Sequence, residues 1–242
     1  MPRQPRLTLA GQAHHVIQRG NNKQAIFFCD TDRTLFLGDL EDALLKHGCV
    51  LHAYVLMTNH IHLLITPGRD EAIGQLMQSL GRRYVGHVNR SYGRTGTLWE
   101  GRFKSTIVDA EDYVMACYRY IEANPVRAGM VTDPAAYPWS SYGANALGRT
   151  NRLVSEHEVY RDLGATAEAR QAAYRALFDE GLGQDMVDTI RDATQRGWVP
   201  GSEKFRRQIE EALGRRVERP VRGRPVKGED SEASSDGQLT LL

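Results

Sequence analysis

Two short stretches hold side chains whose type and spacing suit chemistry on phosphorus. The first is Asn59-His60-Ile61-His62-Leu63-Leu64. In a strand, side chains two residues apart project to one face, roughly 7 Å apart. His60 and His62 can therefore reach one metal ion while Ile61 turns to the core. For an HxH pair alone, two histidines on a solvent face is the commoner outcome. The second stretch is Tyr118-Arg119-Tyr120-Ile121-Glu122-Ala123-Asn124-Pro125. Tyr120 and Asn124 are four residues apart, one turn along one face of a helix. A phenol can attack phosphorus, and with a pKa of about 10 it leaves more readily than a sugar alkoxide, so a phosphotyrosine link stays reversible. A divalent ion beside it would polarise the phosphate, and the Asn124 amide oxygen could join two imidazoles around that ion. Taken by itself, this helix reads more simply as a tyrosine at the edge of a core.

The elements around these stretches follow from hydrophobic period and turn chemistry. Residues 13–18 read as a strand, followed by a turn at Arg19-Gly20-Asn21-Asn22. A helix capped by Asp30 or Thr31 runs to Gly48, with Leu35, Phe36, Leu40, Ala43 and Leu44 at helical spacing. Strands at 50–57 and 60–66 form a hairpin. A helix over about 70–90 puts Ile73, Leu76, Met77, Leu80, Tyr84 and Val88 on one face. A strand at 102–108 precedes a helix from Asp109 or Ala110 to about Asn124, closed by Pro125. The order β-α-β-β-α-β-α predicts an α+β fold, an antiparallel sheet with helices packed on it. Residues 1–149 are then one domain. Residues 150–215 read as a small helical domain, with segments near 155–163, 166–180, 184–196 and 202–213. Residues 216–242 read as a disordered tail, basic and then acidic.

The bulk numbers narrow the class. The chain has 242 residues, 41% hydrophobic and 25% charged, an ordinary globular balance. No run approaches the length of a membrane span, and the N-terminus lacks an apolar signal core. Three spread cysteines (Cys29, Cys49, Cys117) offer no zinc pattern, which fits a reducing cytosol. The net charge of +1 hides an asymmetry. The last fifteen residues hold Glu229, Asp230, Glu232 and Asp236 and no base, so the remainder carries 31 bases and 26 acids. Residues 82–104 hold Arg82, Arg83, Arg90, Arg94, Arg102 and Lys104 against Glu100, and 200–227 are also base-rich. Such clusters suit a polyphosphate partner, with a solvated helix face as the plain alternative.

Two histidines on a central strand, with a tyrosine on a helix further along, is the arrangement of the HUH nucleases. The segment from about Ala13 to Ala146 resembles the REP-associated tyrosine transposases, single-tyrosine members of that class. The resemblance is carried by HHVIQRGNNKQAIF (14–27), HAYVLMTNHIHLLITP (52–67), LWEGRFKST (98–106), YIEANPVRAGMV (120–131) and YPWSSYGAN (137–145). It implies a ferredoxin-like sheet, and a divalent ion, Mg2+ or Mn2+, on His60 and His62 with Asn124 as third ligand. It also implies that Tyr120 attacks DNA to leave a 5′-phosphotyrosine and a free 3′-hydroxyl. Tyr118, rotated about 200° from Tyr120, and Tyr113 are the competing tyrosines. The implied substrate is single-stranded DNA carrying a hairpin of the repetitive extragenic palindrome type, met in the cytoplasm at the nucleoid. Arg102 and Lys104 share a strand face and suit phosphate, as do Arg19, Arg82 and Arg83. Trp99 suits base stacking or the core. His14 and His15 alternate faces, so one is core and the other lies near the metal. Arg222-Gly223-Arg224-Pro225 resembles an AT-hook core, with a basic linker as the plainer reading. A monomer is expected, with a helix-exchanged dimer left open. The alternatives are a rolling-circle or relaxase-type HUH nuclease, a DNA-binding protein that no longer cuts, and a metal-dependent hydrolase without a covalent step.

Overall fold

A computed structural model describes residues 6–109 and 113–219. The apolar segments of the first half pair as one sheet: β1 (His14–Arg19), β2 (Cys49–Leu56), β3 (His60–Pro67) and β4 (Lys104–Ile107). The sheet order is β2-β3-β1-β4, with every neighbouring pair antiparallel. Helix α1 (Asp30–His47) connects β1 to β2, and α2 (Ala72–Ser91) connects β3 to β4. This is the expected α+β, ferredoxin-like arrangement. Helix α1 starts where the Asp32 carboxylate accepts the backbone N–H groups of Phe28 and Cys29, and stops at Gly48, whose φ is 65°.

Both connecting helices cover one face of the sheet. Val16, Ile61, Leu63 and Ile65 meet Phe36 and Leu40 of α1 and Ile73, Leu76, Leu80 and Tyr84 of α2 in one core cluster. The opposite face receives α3 (Val114–Glu122), followed by the short turns α4 (Asn124–Arg127), α5 (Tyr142–Asn145) and α6 (Glu158–Arg161), then α7 (Ala167–Asp179), α8 (Gln184–Arg196) and α9 (Glu203–Leu213). Ala53, Val55 and Leu64 of the sheet pack there with Cys117, Tyr118 and Ile121 of α3 and Val187 and Ile190 of α8.

Several boundaries differ from the sequence expectation. Helix α3 begins at Val114 rather than at 109 or 110, and residues 110–112 lie outside the described residues. The helix stops at Glu122 because Pro125, at the start of the next turn, has no N–H to donate back. The expected boundary at 149/150 falls inside one core: Tyr118 stacks on Tyr160 and meets Tyr174 edge-on. Residues 216–219 belong to the fold, since Val217 is buried with Leu7, Ile107, Val199 and Ile209, and Val199 N–H donates to its carbonyl. The rest of the tail lies outside the described residues. No described helix is long and apolar enough to cross a membrane.

Glu122 ties these parts together. It is fully buried at the end of α3, and its carboxylate accepts from Ser141 Oγ, from Asn145 Nδ2 at 2.7 Å and from the Tyr174 hydroxyl at 2.7 Å. Burial pushes its pKa up to about 7, against the three donors that pull it down. An unfolded glutamate titrates near about 4.3. Between those values the native state holds a proton that the unfolded chain has lost, so this group's contribution is full below about 4.3 and is lost as pH rises through about 7. Glu122→Gln should remove that slope, of order 3 kcal/mol across the window. Urea unfolding midpoints of both proteins from pH 4 to 8 measure it, and parallel pH profiles would refute the assignment.

Candidate active site

The residues singled out on β3 do share a face. His60 and His62 project from the α3 side of the sheet, and across the ladder they lie opposite Arg19 and Ile17 of β1. Their rings meet edge-on with centroids 5.0 Å apart. Helix α3 lays Tyr120 over them, its ring edge-on to His62 at 5.6 Å. Asn124 stands one turn on, its Nδ2 donating to the Tyr120 carbonyl at 2.9 Å, which leaves the amide oxygen to the cleft. These four side chains line a cleft of about 390 Å³ together with Ile17, Arg19, Lys23, Asn59, Glu100, Arg102, Lys104, Arg191 and Gln195.

Each imidazole has its outer nitrogen turned to the cleft. The Nδ1–H of His60 donates to Asn59 Oδ1 at 2.6 Å, and Asn59 is itself held by its Nδ2 on the Lys23 carbonyl at 3.0 Å. His62 Nδ1 lies 2.8 Å from Nε2 of His15. The Nε2 atoms of both rings have no protein partner among the described residues. Burial pushes the pKa of His60 down to about 4 and that of His62 well below its ordinary value, with Arg19, Arg127 and neighbouring rings adding to the effect. Both rings are therefore neutral near pH 7, the form that ligates metals. No set of three His, Cys, Asp or Glu able to hold a metal assembles among the described residues. Two imidazole nitrogens and the Asn124 amide oxygen form a donor set that fits a divalent transition ion with further positions open to a substrate.

Tyr120 is nearly buried, and its hydroxyl makes no hydrogen bond among the described residues. The Arg127 guanidinium lies over its ring, with Cζ 4.3 Å from the centroid, and Nη2 donates to the Tyr120 carbonyl at 2.5 Å. Tyr118 faces the other way. It is fully buried among tyrosines, and its hydroxyl accepts the His157 N–H at 3.2 Å. Tyr113 caps the start of the helix and lies outside the cleft lining.

Of the expected phosphate contacts, Arg19, Arg102 and Lys104 reach the cleft. Arg19 pairs with Glu100 at 2.5 Å, and Lys104 Nζ donates to Gln195 Oε1. Gly20 is required after Arg19, because a Cβ there would lie 2.2 Å from the Gln24 carbonyl oxygen. A second groove of about 530 Å³ shares Arg102, Lys104 and Gln195 with the cleft, and adds Arg6, Arg196, Arg215 and Arg216 against Glu218 alone. Arg82 and Arg83 are not brought to either cavity. They sit on α2, on the far face of the sheet, and Arg83 pairs with Asp39 and Asp42 of α1. Trp99 packs with the α1–α2 core, stacked on Tyr84 at 6.2 Å. Arg222 and Arg224 lie outside the described residues. Of the paired histidines, His14 is the core member and His15 the one beside His62. Arg191, Thr194 and Gln195 went unmarked in the sequence, because nothing local ties α8 to a strand more than a hundred residues earlier; Arg127, on α4, lay within the stretch 120–131 but was given no role. Asn59 had a local signal, its place beside His60.

Residues 9–124 match the family model described as IS200-like transposase, a span that runs from before β1 to Asn124. Among solved structures, a REP-associated tyrosine transposase bound to a REP hairpin is similar in fold, with a TM-score of 0.50 at 16% identity over 66% of this chain and 93% of that one. A protein of Deinococcus radiodurans, provisionally called a transposase, aligns at a TM-score of 0.35 and 18% identity over 53% of this chain and 92% of its own, a score too low to carry weight. No curated protein matches the chain.

The contrast between the two tyrosines is measurable in stability alone. Tyr120→Phe removes a hydroxyl without a protein partner and should change unfolding free energy by less than about 0.5 kcal/mol. Tyr118→Phe leaves the half-buried His157 N–H without its acceptor and should cost about 1 kcal/mol. Denaturant titration of both variants reads this directly, and equal costs would show that the hydroxyl environments are misassigned.

Proposed function

We propose that this chain, whose residues 9–124 match the IS200-like transposase model, is a member of that family and a metal-dependent DNA strand transferase that cuts and rejoins single-stranded DNA beside a hairpin through a tyrosine link. The observation that carries this reading is the single cleft lined by Tyr120, His60, His62 and Asn124. A REP hairpin is the ligand in the structure of similar fold, and we extend that substrate class to this protein.

The chemistry follows from the residues. Tyr120 presents an unbonded phenol to the cleft, and its oxygen attacks the phosphorus of the scissile phosphodiester. The phenolic proton leaves to water, the bond to the 3′-oxygen breaks, that oxygen takes up a proton from water to become a hydroxyl, and the 5′-phosphate stays on the tyrosine. Arg127, over the ring face, holds positive charge against an oxygen that becomes negative as it attacks. His60, His62 and Asn124 would hold the divalent ion, which when bound supplies Lewis-acid polarisation of the phosphate. Arg19, Arg102 and Lys104 orient the strand by its backbone. Beyond them, the adjoining basic groove offers a track for the flanking phosphates, since it opens on the same Arg102 and Lys104. Rejoining is the reverse: a 3′-hydroxyl attacks the phosphotyrosine, and phenolate is the better leaving group.

The deciding experiment is to trap the adduct on a hairpin oligonucleotide with a single-stranded flank. Wild-type protein with Mn2+ should give a covalent adduct whose DNA maps to Tyr120 by its 5′ end. Tyr120→Phe, His60→Ala and His62→Ala should abolish it while hairpin binding persists, because backbone contacts supply most of the affinity. Adduct formation by Tyr120→Phe, or DNA found on Tyr113 or Tyr118, would overturn the reading. The track is tested separately by salt dependence. Arg102→Ala and Arg216→Ala should each lower the slope of log affinity against log salt by about 1, evenly across sequences. Unchanged slopes would remove the groove from the strand's path.

A further inference from the structure

We propose that Thr194, on helix α8, is a positioning residue that sets which nitrogen of His62 carries the proton, acting through His15. The inference rests on the reading of His62 as a metal ligand. It adds a function for a helix that lies beyond the span matched by the family model.

The path is a line of three buried side chains. Thr194 is fully buried in the last turn of α8, and its hydroxyl donates to the Ile190 carbonyl one turn back at 2.9 Å. With its one proton committed there, Oγ1 faces Nδ1 of His15 at 2.8 Å as an acceptor. His15 is fully buried, so its neutral ring has one proton to place, and Thr194 draws it to Nδ1. Nε2 of His15 is then a lone pair, 2.8 Å from Nδ1 of His62. His62 satisfies it by carrying its own proton on Nδ1, which leaves Nε2 bare and turned to the cleft. The stacking of the two rings, 5.1 Å between centroids and 12° between planes, holds this alignment.

The opposite direction is possible for the chain of atoms and unfavourable for the count of bonds. If Thr194 donated to His15, His15 would donate to His62, and His62 would carry its proton on Nε2, where a metal must bind. That arrangement gives up the hydroxyl's bond to Ile190 and so holds one hydrogen bond fewer. The helix carbonyl thus biases a tautomer two residues away in the relay. Partners of this kind set ring orientation and basicity at metal sites. His60, by contrast, takes its orientation from Asn59, the residue just before its strand. Because both nitrogens of His15 are engaged, His15 itself is not a ligand.

Thr194→Val keeps the shape and removes the acceptor, whereas Thr194→Ser keeps the hydroxyl. The test uses the full-length chain, 15N-labelled and free of metal, with long-range proton–nitrogen spectra that report which imidazole nitrogen is protonated. Wild type and Thr194→Ser should both show His15 and His62 protonated on Nδ1. Thr194→Val should show a mixture at both rings. Calorimetric titration with Mn2+ alone should give wild-type affinity for Thr194→Ser and a loss of about 10–100-fold for Thr194→Val. A wild-type His62 protonated on Nε2 would refute the relay. So would wild-type tautomers and Mn2+ affinity in Thr194→Val. Failure of the wild type to bind Mn2+ while His62 keeps its Nδ1 proton would instead sink the ligand reading, and Thr194's positioning role with it.

Discussion

A carboxylate buried without a cation is the constraint on which this molecule is arranged. Glu122 ends the helix that carries Tyr120, and burying its charge would cost several kcal/mol if it found only apolar neighbours. Three donors from two separate segments converge on it: Ser141 and Asn145 of the turn at α5, and Tyr174 of α7. Each of these is drawn to the same point for the same reason, so the end of α3, the turn at α5 and helix α7 cannot shift independently. The Ser141 N–H also donates to the Tyr54 carbonyl, its Oγ accepts the Tyr54 N–H, and Asn145 donates to the His52 carbonyl, which fastens the network to strand β2. The position of Tyr120 over the histidine strand is thereby referred to the sheet through polar contacts that tolerate little slack.

The two faces of the sheet divide their tasks. Against α1 and α2 the strands present Val16, Ile61, Leu63 and Ile65, and the interface is close-packed hydrocarbon. On the other face the same strands present His15, Ile17, Arg19, His60 and His62, and the helices answer with Tyr120, Asn124, Arg127 and Arg191. Period-two alternation makes this possible without any bend in the backbone. Around the cleft the cations Arg19, Lys23, Arg102, Lys104 and Arg191 face one acid, Glu100, already bound to Arg19. That balance repels a second cation-rich surface and favours an anionic chain, while the neutral imidazoles at the floor add no charge of their own.

How much of this was legible in the sequence depends on the range of the contact. Alternation placed His60 and His62 on one face, the four-residue step kept Asn124 beside Tyr120, and helical period marked α1 and α2 within a few residues. These are local facts written in local spacing. The DNA-facing assignment of Arg82 and Arg83 was not secure, because a basic helix does not say which side of a sheet it covers, and α2 lies on the side away from the cleft. Trp99 was ambiguous for the same reason, and its ring went to the core. Helix α8 was legible as a helix and illegible as a wall of the site. Its apolar stripe, Val187, Ile190 and Ala193, is that of any packed helix, and the contact from Thr194 to His15 spans 179 residues. The continuation of the core past residue 150 was hidden likewise, since tyrosines such as Tyr160 and Tyr174 do not announce their partners.

That long-range contact sets an order of events during synthesis. The chain is made from its N-terminus, so His15, His62 and Tyr120 leave the ribosome well before Thr194 does. At about 5–20 residues per second, the interval from His62 to Thr194 is roughly 7–26 s. Through that time the sheet can form, since all of its strands lie before residue 108. The wall given by Arg191 and Gln195 is still missing, and the imidazole at position 62 has no relay behind it. The late segment therefore acts as a completion step: Tyr120 is made well before the wall that closes the pocket beside it.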